Sequence, residues 1–557
     1  MKKFLFFISV FSLIFYYAFC WRLPDTVPAE LKPLPAEASA LLIPLDSRPV
    51  CTVMPQKMGL LAGTNVILPP IGFLDNYTRP ARRENLYLWL HDNLQNHNYA
   101  VISSDLLIHG GLINSRLALG KTAEQNYFLS TLQNTAISAP HTKCSVFSII
   151  PRLLVSDHIL PDRWYQWQLM NYAKLKDMTE TFNDPYYTEK LLETEKKIPP
   201  EVLSKYLSLY KNNDSFNKNL LTLSYSNIYT VIGQDDGSSF GLPNRNTNHA
   251  KMYAHNLPEA HITYGADEIA AIILARNYLQ KRQSVPKIYL QYANPQTEFL
   301  YMPFMAASVG ETLRDKIALL GAKQTNNLQS ADIILYINCG NDKFYPDEKN
   351  VAELKKLLQS SKQLALLDLA ANYDTRELLM PLLLANDFPL NKLSAYAGWN
   401  TFSNSAGTVL AQAVIFSERR KELPSEQIPA FYAQNLSFIC ERLLDDYIYQ
   451  KEYGSALKNL LNLHNYDANN LSAEGQSFAD NVTQQYMNRK AAELLHYNLG
   501  RTPFYQDADN EYYLTNLQAD IYFPWNRVFE IGLDIKTEFG IRARIKTTRI
   551  TGGLLCG

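Results

Sequence analysis

Short continuous apolar runs alternate with amphipathic stretches through most of this chain, and no other feature restricts its fold as much. The runs are Ala40–Leu45, Tyr99–Ser103, Ser145–Ile150, Ile228–Ile232, Lys287–Gln291, Ile333–Ile337, Leu364–Leu367 and Leu393–Ala397. Two shorter ones, Val66–Leu68 and Ile262–Thr263, add to them. Most are followed by apolar residues at helical spacing, as in Asp267–Leu279 and Val351–Leu358. Strands that are apolar on both faces and separated by helices imply a parallel sheet covered on each side. The expectation is an α/β protein whose main unit is a (β/α)8 barrel with insertions. An open doubly wound sheet is the alternative, because periodicity reports which segments are strands and not how they are ordered.

The pattern is interrupted at both ends. Lys2 and Lys3 precede an apolar run from Phe4 to Phe19, the layout of a secretory signal or membrane anchor over residues 1–21. Cys20 is a candidate for lipidation. Export follows, to a periplasmic, secreted or membrane-anchored location. Residues 22–38, with Pro24, Pro28, Pro33 and Pro35, read as a linker. The α/β unit is expected over 39–417, with a Tyr- and Lys-rich helical insertion at 155–225. Residues 418–557 read as a C-terminal module, helical to about Leu499 and then strand-like over Tyr512–Ile550.

The net charge of −1 gives no general attraction to nucleic acid, so the expected partner is a glycan or another small polar substrate. Membrane contact would come only through the N-terminal segment. Cys51, Cys144, Cys339, Cys440 and Cys556 are too scattered for a disulfide framework or a zinc signature. No metal or cofactor is expected.

In a parallel sheet the C-terminal strand ends share one edge, where sites collect. Just beyond the strands stand Asp46 and Arg48, Asp105 and His109, Arg152, Asp235 and Asp236, Asn294, Asn338, Asp342, Asp368, Asn372, Trp399 and Asn400. Any one Asp or Asn in such a place is more simply a helix cap. The adjacent acids in VIGQDDGSSFG carry the sharpest signal. Two carboxylates held close repel, so one retains its proton while the other stays ionised. Glycoside hydrolysis needs that division. A plain Asp-Asp-Gly turn is the competing reading. Trp399 offers a face for a sugar ring, or a core side chain. Asp105 and His109 form an acid/base or metal pair on the minority reading.

ALLIPLDSRPV, SSDLLIHGG, VIGQDDGSSFG, YGADEIAAIILARN and YAGWNTFSNSAG together resemble a bacterial family catalogued as a domain of unknown function, over residues 40 to 420. The resemblance implies no activity, so the chemistry rests on the residues themselves. They point to an exported hydrolase of an amino-sugar glycan, with Asp235 and Asp236 catalytic. Asp46, Arg48, Asp105, His109, Asn294, Asp368, Trp399 and Asn400 are expected to line its pocket. The alternatives are a carbohydrate-binding protein without catalysis, or a metal-dependent hydrolase built on Asp46, Asp105 and His109.

Overall fold

Each of the ten apolar runs between Ala40 and Ala397 overlaps a strand in the computed structural model, which describes residues 23–116, 122–155, 162–226, 228–372 and 374–544. The leader expected over residues 1–21, with Cys20, lies outside them. In chain order the strands are β1 (Val27–Pro28), β2 (Ala38–Ile43), β3 (Thr64–Ile67), β4 (Tyr99–Ser103), β5 (Lys143–Ile150), β6 (Tyr229–Gln234) and β7 (Ala260–Tyr264). They continue with β8 (Lys287–Tyr292), β9 (Lys323–Gln324), β10 (Ile333–Gly340), β11 (Gln363–Ala370) and β12 (Ala395–Ala397). The last three are β13 (Tyr505–Gln506), β14 (Asn510–Tyr522) and β15 (Gly532–Ala543).

The strands do not close into a barrel. They form two open parallel sheets, in the orders β3-β2-β4-β5-β6-β7 and β9-β8-β10-β11-β12. Counted from its own first strand, each sheet begins 2-1-3-4-5, so the chain reverses its direction of travel beside the first strand in both. That reversal parts the following loops and opens a crevice at the C-terminal strand ends. All residues of β6 and β10 are buried, as strands covered on both faces must be.

The two sheets share a core. Leu42, Val101 and Val231 from the first sheet belong to the same apolar cluster as Ile288, Leu335 and Leu367 from the second. The helices Ile269–Arg282 and Phe402–Arg419 supply much of that cluster. Every residue of Phe402–Arg419 is buried, which suits a helix that is small or apolar around most of its circumference. Three further helices (Arg163–Phe182, Pro185–Glu195 and Pro200–Leu221) lie between β5 and β6.

The C-terminal segment packs against the other side of the second sheet. Ile334, Tyr336, Leu364 and Leu366 cluster with Leu443, Leu457, Met487 and Leu494 from its helices and with Leu514 and Leu517 from β14. β14 and β15 form a long antiparallel hairpin flanked by β13 and β1. Among the described residues no helix is long and apolar enough to cross a membrane.

Candidate functional site

β6 ends at Gln234, and Asp235 and Asp236 follow it into a cleft of about 520 Å³ at the C-terminal edge of the first sheet. Backbone contacts pin the pair on several sides. Asp235 N–H donates to the Ile150 carbonyl (3.1 Å), and Leu153 N–H donates to the Asp236 carbonyl (2.9 Å). Gly237 N–H donates to the Phe304 carbonyl at 2.8 Å, tying the pair to a loop that follows β8. Gly265, just beyond β7, approaches from the other side and donates to the Gln234 carbonyl at 2.7 Å. Its φ of +101° and the closeness of Glu268 and Ser403 leave no room for a side chain there.

The two acids meet opposite surroundings. The Arg116 guanidinium pairs with the Asp235 carboxylate, and Asp235 Oδ1 accepts the Asp236 N–H at 2.8 Å. Burial pushes Asp235 upward, but the charges of Arg116 and Arg152 outweigh it and hold the group below the usual carboxylate range. Burial raises Asp236 to about 7, with the Asp235 charge adding to the rise. One carboxylate and one carboxylic acid thus stand side by side near neutral pH.

A second charged group lies at the first sheet's reversal point. Asp46, wholly buried just past β2, accepts from Arg48 N–H and Nε (each 3.0 Å to Oδ1) and from Nη2 (2.7 Å to Oδ2). Arg48 Nη2 also donates to Asp267 Oδ1 at 2.6 Å. Burial raises Asp267 to about 6, with Asp46 adding to the rise and Arg48 opposing it. Asp46, Cys51 and Asp267 place one ligand atom each within 4.8 Å of one another. The Arg48 guanidinium already supplies the positive charge among them. Burial, followed by the two carboxylates, pushes the Cys51 thiol far up, so it is no thiolate ligand. These residues do not fit a resident metal ion.

The far wall comes from the C-terminal segment. Asp467, Asn469, Asn470, Trp525, Arg527 and Phe529 line the same cleft as the acid pair. The Trp525 indole N–H donates to Ser47 Oγ at 3.0 Å, and the guanidinium carbons of Arg48 and Arg527 lie 5.5 and 4.6 Å from the centre of its ring. Arg527 is held by both Glu530 oxygens, at 2.8 and 2.7 Å.

Backbone strain gathers here as well. Tyr77, Phe304 and Asn400 line the cleft with φ of 56°, 64° and 50°. Asn tolerates the left-handed region, but Tyr and Phe do so at a cost of about 1 to 3 kcal/mol each. Such strain persists where the surroundings hold a side chain for a purpose.

Of the residues named at the strand ends, the structure brings Asp235, Asp236, Arg48, Arg152 and Asn400 to one cleft, with Asp46 directly behind Arg48. The others lie elsewhere. Asp105 accepts the Ile149 N–H at 3.0 Å and borders, with His109, a separate hollow of about 20 Å³. Burial raises Asp105 to about 7 and lowers His109 to about 4. Among the described residues, Asp46, Asp105 and His109 do not converge as metal ligands. Asn294 caps the short helix Pro295–Phe299, accepting from Gln296 N–H at 3.0 Å. Asp368 accepts from Leu379 N–H and Met380 N–H, each at 2.9 Å, and from the Asn338 amide at 2.7 Å, so it holds a loop of the second sheet. Trp399 is a core side chain whose indole N–H donates to Thr408 Oγ1 at 3.3 Å. Asn338, Asp342, Asp368, Asn372 and Trp399 do not reach the cleft wall. Sequence reading missed Arg116, Asp267, Phe304 and the whole C-terminal wall.

Two open parallel sheets, with an acid pair, paired arginines and aromatic side chains at one crevice, define a mixed α/β protein. The chain belongs to the family described as a protein of unknown function, DUF4127, whose model matches residues 40–534. No curated protein and no solved structure matches it.

Proposed function

We propose that the chain is an exported hydrolase of an amino-sugar glycan, with Asp236 as proton donor and Asp235 as its ionised partner. The observation that carries this reading is the unequal environment of two adjacent acids in one cleft: Arg116 pairs with Asp235 and keeps it ionised, and Asp236 is buried beside it. The Asp236 O–H gives its proton to the leaving-group oxygen as the glycosidic C–O bond breaks. Positive charge develops at the anomeric carbon, and the Asp235 carboxylate stabilises it. The substrate's acetamido oxygen closes onto that carbon. Water then opens the ring so formed and returns a proton to Asp236. Asn400 and Asn404, which line the same cleft, offer amide contacts to sugar hydroxyls. Export is proposed from the basic start and apolar run of residues 2–19.

The test is turnover of chromogenic amino-sugar glycosides by the wild type and by a folded Asp236→Asn variant. Loss of about 10²- to 10⁴-fold is expected, as for removal of a general acid. Full turnover by the variant would sink the assignment. A wild type that shows ligand-induced thermal shifts without product would be a binding protein.

A further inference from the structure

Resting on the glycan reading, a second feature of the cleft is left over by the acid pair. Met302–Met305 is a tight turn, closed by Met305 N–H donating to the Met302 carbonyl at 3.1 Å. Pro303 stands second and Phe304 third, with φ of 64°. A Pro followed by a residue of positive φ is the pattern of a type II turn, and its third place ordinarily belongs to Gly or Asn. Phe is a poor choice there on backbone grounds.

Core packing does not account for the choice. Phe304 is 49% exposed and belongs to no buried apolar cluster, whereas Met302 and Met305 on either side are buried. The turn itself is fixed, because the Phe304 carbonyl accepts the N–H of Gly237, the residue next to Asp236. A strained backbone therefore holds an exposed aromatic ring on the wall of the cleft, one residue's reach from the acid pair. Phe529, 46% exposed, lines the same cleft from the C-terminal segment.

We infer that Phe304 is a substrate platform, which receives the apolar face of a sugar ring adjoining the one that is cleaved. The bound molecule is then an oligosaccharide, since a single sugar on the acid pair would not need this ring.

Phe304→Gly and Phe304→Trp would be compared with the wild type against a panel of chromogenic aryl glycosides that includes those of N-acetylated amino-sugar monomers and trimers. For Phe304→Gly, the glycine suits the turn, so the melting temperature stays level or rises. KM for the trimer rises about tenfold or more, and kcat changes less than twofold. Phe304→Trp keeps trimer affinity within about threefold, and the wild type favours trimer over monomer. A fall in melting temperature with KM unchanged would make Phe304 a structural residue and overturn the inference. A wild type that cleaves monomer and trimer alike overturns it too, while leaving the acid pair's role intact. Failure of the wild type to bind any saccharide overturns both readings.

Discussion

Lys316 Nζ and Glu268 Oε1 lie 2.6 Å apart, and both side chains are shut off from solvent. Lys316 also donates to Thr263 Oγ1 (3.1 Å) and to the Tyr264 carbonyl. The pair thus fastens the helix Val309–Leu320 to the turn that carries Gly265 and Asp267 into the cleft. Removing one partner leaves the other charge buried and uncompensated, at a cost of about 3 to 5 kcal/mol. Lys316→Met is therefore expected to lower the urea midpoint substantially. Adding Glu268→Leu recovers part of the loss, because an apolar pair no longer carries a stranded charge. Equal midpoints for the wild type and Lys316→Met would show that the pair holds nothing.

Stability should decline from mildly acid to mildly alkaline pH. Burial raises Asp236, Asp105 and Asp446 to about 7, Asp75 to about 8 and Asp267 to about 6. A carboxyl whose folded pKa is raised binds more protons folded than unfolded. Its contribution is fully present below the unfolded value near 4 and is lost as pH climbs through the folded one. His109, lowered to about 4, and His97, also lowered by burial, work the other way below roughly pH 6.5, but the raised carboxyls outnumber them. Differential scanning fluorimetry from pH 4.5 to 8.5 is expected to show a higher melting temperature near pH 5.5 than near pH 8. A flat or rising profile over that range would contradict the burial of these acids.

The apolar runs identified strands because burial on both faces demands them, and it demands them whether a sheet closes or stays open. Barrel and open sheet differ in which strands exchange hydrogen bonds, and side-chain composition does not record that choice. Asp235, Asp236 and Arg48 were legible because strand ends are exposed to view once the strands are known. Asp368 and Trp399 stood at equivalent ends but serve the second sheet, one holding a loop and the other filling the shared core. Asp267 had a readable signal. It follows β7, a run short enough to be set apart from the main eight, and giving β7 equal weight places Asp267 among the strand-end residues. Trp525, Arg527 and Phe529 had none, since a loop between two hairpin strands reaches the cleft only through long-range packing.

That packing makes the C-terminal segment inseparable from the rest. Ile334, Tyr336, Leu364 and Leu366 in the second sheet are covered by Leu443, Leu494, Leu514 and Leu517. A chain ending at residue 417 would expose this surface, and exposed apolar area of that kind drives association. It is expected to be insoluble or to bind hydrophobic dyes strongly, and to lack ligand-induced thermal shifts. A soluble, monomeric and cooperatively melting 1–417 fragment would refute the dependence of the second sheet on this cover.

Arg116 is a positioning residue whose effect should appear in the pH profile more than in binding. Its guanidinium pairs with Asp235 and is the first of the two cations that outweigh burial there. In Arg116→Gln the amide keeps some hydrogen-bonding capacity but the charge is gone. Asp235 then rises, because desolvation is opposed only by the Arg152 charge and the hydrogen bond from Asp236 N–H. The acid pair titrates as a unit, so the change is read in its macroscopic steps. The acidic limb of the kcat/KM profile, set by loss of the first proton, is expected to move up by about one unit or more. Arg116→Lys, which restores a positive charge, should move it back toward the wild-type position. A purely structural role would depress activity at every pH by the same factor and leave both limbs in place.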